Sequence, residues 1–124
     1  MLLRIGIILL VSYSALASQI TCHGGNDIDG VLYPHFKAAT ADFKTFTNIE
    51  RSINTKGMTM AAEKSQEAEV SRDNNLVLRL RDYYCETLTV IPLKAKALLV
   101  FNVRMTLYCP GMEPSVSVLR CQQK

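Results

Sequence analysis

Between residues 36 and 53 the large apolar side chains recur three or four positions apart, at Phe36, Ala39, Phe43, Phe46, Ile49 and Ile53. That spacing lays them along one stripe of a helix and leaves Lys37, Asp42, Lys44, Glu50 and Arg51 on its solvated faces. Asp27 or Asp29 is placed to cap such a helix, and Pro34 suits its first turn. Downstream the period falls to two. Leu76, Leu78 and Leu80 alternate with Val77, Arg79 and Arg81, which predicts a strand running to about Cys85. Leu99, Phe101, Val103, Met105 and Leu107 alternate with Asn102, Arg104 and Thr106, which makes residues 98–108 the clearest strand.

Between these elements the polar stretch 63–75 carries a turn signal at Asp73-Asn74-Asn75, and Pro92 marks a connection. Residues 109–114 hold two prolines and a glycine and read as a hairpin loop, after which 115–121 return as a last strand. Gly57 ends or follows the helix, and residues 58–62 are expected to begin a strand or a short helical continuation. The pattern predicts an α+β chain, with one N-terminal helix packed on an antiparallel sheet of four to five strands.

The start of the chain changes the picture. Arg4, an apolar run over 5–11 and the small residues ending Ala15-Leu16-Ala17 form the pattern of a secretory signal peptide. The apolar run is too short to cross a bilayer as a helix. Residues 1–17 are therefore expected to be a signal peptide and 18–124 a single domain, secreted and extracellular. All four cysteines, Cys22, Cys85, Cys109 and Cys121, fall in that domain, and an even count in an exported chain implies two disulfides. The formal net charge of +3 is spread without a Lys/Arg block, which disfavours nucleic acid and anionic membranes as partners. No N-x-[ST] acceptor is present. His23 and His35 lack metal-ligand spacing with the cysteines, so no metal and no cofactor is expected. Asp27, Asp29 and Glu50 are explained by capping and solvation before acid–base chemistry.

The order of elements and certain residues resemble the cystatins, secreted inhibitors of papain-like cysteine proteases. Gly24-Gly25 lies ahead of the predicted helix, and Asn48 stands where the family's helix asparagine falls. Gln66-Glu67-Ala68-Glu69-Val70 occupies the place of the family's Q-x-V-x-G loop, and residues 115–121 are similar to the closing strand and last cysteine of type 2 members. The resemblance implies a cystatin-like fold and a reversible inhibitor of cathepsin-class proteases, cathepsin L type included. Its contact edge would comprise Gly24, Gly25, Gln66, Glu67, Ala68, Glu69, Val70, Pro110, Gly111 and Met112, occluding a cleft without catalysis.

Several positions depart from that family. Ala68 replaces its valine, Val70 its second glycine, and Pro110-Gly111 its Pro-Trp; the chain has no tryptophan. The alternative reading is a non-inhibitory protein of the same fold that binds another extracellular partner. In the topology the resemblance implies, Cys85 pairs with Cys121 and Cys22 with Cys109, one of three pairings open to four cysteines. A monomer is expected.

Overall fold

The chain folds as an antiparallel sheet. The structure is a computed structural model that describes residues 17–52, 63–82 and 84–124. Its strands are β1 (Ser18–Ile28), β2 (Val31–Thr40), β3 (Thr45–Ser52), β4 (Glu63–Glu67), β5 (Glu69–Val70), β6 (Asn75–Asp82), β7 (Cys85–Pro92), β8 (Val100–Tyr108) and β9 (Ser115–Gln123). A short 3-10 turn, Leu93–Ala97, joins β7 to β8. The order across the sheet is β4-β3-β2-β1-β9-β8-β7-β6-β5, antiparallel at every pairing. Only Ala68 separates β4 from β5, so the two edges of the sheet are successive parts of one extended run. The sheet thereby wraps into a nearly closed barrel, which leaves almost no free edge.

This overturns the predicted helix on a sheet: no α-helix occurs among the described residues, and 36–52 form β2, a turn and β3. The helical spacing has a local cause. Between Lys37↔Glu50 and Ala39↔Thr47, β3 carries one residue more than β2, a bulge that includes Asn48 at φ 51°. The extra residue turns a two-residue repeat into a three-residue step, so Phe46 and Ile49 both face inward. The turn between the strands supplies the next step. Thr40 Oγ1 accepts from the Phe43 N–H at 3.0 Å and donates to the Thr45 carbonyl at 2.8 Å. Asp42 Oδ1 accepts from the N–H groups of Lys44 and Thr45, each at 2.9 Å. Phe43, at φ 55°, is buried edge-on against Phe46 with ring centroids 5.9 Å apart. The apolar stripe is real, but it lines a barrel.

Asp29 and Gly30, at φ 52° and 81°, form the two-residue turn of the β1–β2 hairpin, closed by Ile28↔Val31. Asp-Gly suits this turn because both central residues need positive φ. Asp29 is thus a turn residue and not a helix cap. Pro34, predicted for a first helical turn, lies within β2 beyond its pairing with β3 and follows a cis peptide bond. The predicted 76–85 strand is β6, ending at Asp82, and the 98–108 and 115–121 strands are β8 and β9. The strand or helical continuation expected near 58–62, and residues 1–16 of the expected signal peptide, lie outside the described residues.

Inward side chains from the strands fill the core, with Ile20, Phe36, Phe46, Ile49, Leu76, Leu78, Ile91, Met105 and Leu119 all essentially solvent-free. Each contributes about 1.5–3 kcal/mol of burial. Two strands invert the usual pattern. On β7 the inward residues include Thr87 and Thr89, while Leu88 and Val90 face outward; on β9, Val116 and Val118 face outward and Ser117 does not.

Candidate functional site

The barrel disperses the residues expected to form a protease-binding edge. Gly24 and Gly25 lie in a β1 bulge between the pairs His23↔His35 and Asn26↔Tyr33. A Cβ at Gly24 would come within 2.9 Å of Pro34 Cγ and closer still to Cδ, whereas one at Gly25 would meet nothing. Pro110, Gly111 and Met112 occupy the β8–β9 loop, closed by a hydrogen bond from the Met112 N–H to the Cys109 carbonyl at 3.2 Å. Chain direction puts this loop at the same end of the barrel as the β1–β2 hairpin. Residues 66–70 instead run toward the opposite end, where the β5–β6 turn follows. Within them Glu67 is exposed, Ala68 packs on the core, Glu69 pairs with Arg79 at 3.4 Å, and Val70 is exposed. No single edge collects all three segments.

Gln66 has an internal role. Its Oε1 accepts from the Arg79 N–H at 3.1 Å, and its Nε2 donates to the Arg79 carbonyl. The side-chain amide thus pairs with β6 as a strand's peptide group would, stitching the seam where β4 meets β6. Arg51, fully buried, donates to the same Oε1 at 3.3 Å and to the Thr87 carbonyl at 3.4 Å. Burial lowers the Arg51 pKa to about 10, with Glu63 acting against the shift; the guanidinium stays cationic at neutral pH. Arg51 Nε, Glu63 Oε2 and Thr89 Oγ1 are buried without hydrogen-bond partners. This polar inlay braces the closure from inside. The sequence placed Arg51 on a solvated helix face, an error that follows from the helical reading.

The disulfides also differ from expectation. Cys22 bonds Cys121 and Cys85 bonds Cys109, with Cα–Cα distances of 4.0 and 4.3 Å. Register explains both pairs: Cys22 faces Cys121 across β1 and β9, and Glu86↔Tyr108 brings the flanking Cys85 and Cys109 together. The expected Cys85–Cys121 and Cys22–Cys109 bonds would each join strands that are not neighbours.

Across the outside of β6 to β9 the register aligns two rows. One runs Val77, Val90, Arg104, Val118; the other runs Arg79, Leu88, Thr106, Val116. Val116 and Val118 are 57% and 65% exposed, and Thr106, flanked by Leu88 and Val116, is buried despite its outward parity. A third row, Arg81, Glu86, Tyr108, borders an open depression of about 430 Å³ that Tyr84 and Pro110 also line. At this rim Arg79 bonds Glu86 at 2.9 Å and Glu69 at 3.4 Å, and Arg81 bonds Glu86 at 3.4 Å. The other side of the barrel is different. The outward residues of β1 to β4 include Thr21, Lys37, Thr45, Thr47, Glu50, Ser65 and Glu67, all exposed.

Sequence reasoning missed this apolar face. Its signal is the inverted alternation on β7 and β9, which becomes readable only once the inward partners Ile91, Leu119 and Cys121 are known. Among the described residues no group of three or more His, Cys, Asp or Glu side chains comes together to hold a metal. No family of known proteins, no curated protein and no solved structure matches the chain, and nothing in those comparisons identifies a cystatin. The fold and site define a disulfide-tied antiparallel barrel with one apolar and one polar exterior.

Proposed function

We propose that this chain is an extracellular, non-catalytic binding protein that docks a protein partner on the outer face of β6 to β9. The two-sidedness of the barrel carries this reading. Valines at 116 and 118, in register with Leu88 and Val90, present apolar side chains where strands that met only water would present polar ones. Two disulfides fit an oxidising compartment, as the expected signal peptide requires. In a nearly closed barrel each of these strands is hydrogen-bonded on both sides, so little freedom is lost when such a face is covered.

The protease-inhibitor reading depended on a helix-on-sheet wedge. Gly24, Gln66 and Pro110 answer to other demands in the barrel, namely contact with Pro34, the β4–β6 seam and a hairpin loop. The reading kept is the one in which another extracellular partner is bound. Selection of a random peptide library on the immobilised oxidised chain tests it. Enriched peptides should lose binding to a Val116→Lys, Val118→Lys variant and keep binding to a Thr47→Lys variant on the polar side. Peptides indifferent to the first variant would sink the assignment of this face.

A further inference from the structure

We propose that the partner presents a carboxylate within an apolar surface and that Arg104 is its counter-ion, an inference that rests on the docking face described above. Arg104 lies in register between Val90 and Val118 and is exposed. Arg120 is its diagonal neighbour on β9, opposite Asn102, and is exposed as well. Neither guanidinium has a carboxylate among the described residues, whereas Arg79 and Arg81 at the rim are tied to Glu69 and Glu86. The local composition has the same bias. From residue 93 to 124 the chain carries Lys94, Lys96, Arg104, Arg120 and Lys124 against the single acid Glu113.

The charge selects among occupants. A second copy docked about a two-fold axis on this face would set two unpaired arginines against two more, and desolvating like charges is costly. The large exposed side chains suited to a lipid surface, Tyr84, Tyr108 and Met112, gather at the end of the barrel, whereas Arg104 lies two rows away from Tyr108 in the wall, between Val90 and Val118. A protein surface with a carboxylate among apolar groups fits both properties. Its apolar atoms exclude water around Val116 and Val118, and in that drier setting the planar guanidinium of Arg104 makes charge-assisted, two-pronged hydrogen bonds.

Amide-shift mapping on the isotope-labelled, oxidised chain tests the inference with a short soluble peptide alternating leucine and glutamate, and a counterpart alternating leucine and lysine. The glutamate peptide should shift Val90, Arg104, Val116 and Val118, and the lysine peptide should not. Arg104→Met, which keeps the stem, should weaken the glutamate peptide at least about tenfold, while Arg72→Met in the β5–β6 turn should not. Each variant's own spectrum reports that it is folded. Equal shifts with both peptides would overturn the carboxylate inference and leave the docking face standing. Shifts at this face with neither peptide would overturn both. Self-association abolished by Val118→Lys would put a second copy there instead. Binding to phosphatidylserine vesicles through the same residues would replace the protein partner with a membrane.

Discussion

A side chain at position 24 would collide with the ring of Pro34, and one at position 25 would meet open space. Gly24→Ala should therefore cost about 1–3 kcal/mol through overpacking, and Gly25→Ala should stay within about 0.5 kcal/mol of the parent. Urea denaturation of the two variants measures the contrast; equal midpoints would mean that Pro34 yields without cost. The pair Gly24-Gly25 was conspicuous in the sequence, but which glycine is needed depends on a β2 neighbour that no local pattern reveals. His35 is a second case. Burial lowers its pKa; Glu50 opposes this, and Lys37 and the cross-strand His23 add to it. As pH falls, the unfolded chain binds this proton first. Its contribution to stability is thus complete above the ordinary value of 6.5 and is lost as pH drops through the lower folded value. His35→Gln should flatten the stability profile between about pH 7 and pH 5, and an unchanged slope would remove His35 from that pH dependence.

Among the elements, the β3 bulge shows why a strand pair resembled a helix. A strand read by periodicity alone is assumed to keep its parity, and Asn48 breaks it. Asn tolerates the left-handed conformation that a β-branched side chain resists. Asn48→Val should accordingly cost about 1–2 kcal/mol, while Asn48→Gly should cost far less; thermal unfolding of both variants tests this, and equal losses would assign the effect to the asparagine side chain. The strands with regular alternation and an apolar inward face, β6 and β8, were legible. Strand β7 was not, because Thr87 and Thr89 face inward while Leu88 and Val90 face outward. Its hydrophobic residues pointed away from the core, which is also why they mark the candidate binding face. The Asp29-Gly30 turn was a readable hairpin signal that the helical stripe after it overrode.

For the whole molecule, the hard part was closure. That β1 pairs with β9 and that 63–70 joins both sheet edges are long-range facts, set by the global register more than by any window of residues. The cysteine count, and with it the expectation of two disulfides, was readable without them, but connectivity was not. The closed topology now ranks the two bonds. Cys22 and Cys121 are 99 residues apart and link the first strand to the last; Cys85 and Cys109 are 24 apart and tie adjacent strands at one end. If a disulfide stabilises by restricting the unfolded chain, those separations correspond to about 4.7 and about 3.4 kcal/mol. The sulfurs of Cys22 and Cys121 are also in the core, so replacing them with alanine leaves space as well as freedom. Cys22→Ala, Cys121→Ala should therefore lose at least about 1 kcal/mol more than Cys85→Ala, Cys109→Ala. Denaturant midpoints of the two double variants, with peptide mapping of the parent to verify the pairs, decide the point. A larger loss from the shorter link would mean that the β7–β8 end, and not the β1–β9 seam, limits the stability of the barrel. That end borders the depression lined by Tyr84 and Tyr108, so such a result would also couple stability to the rim of the docking face.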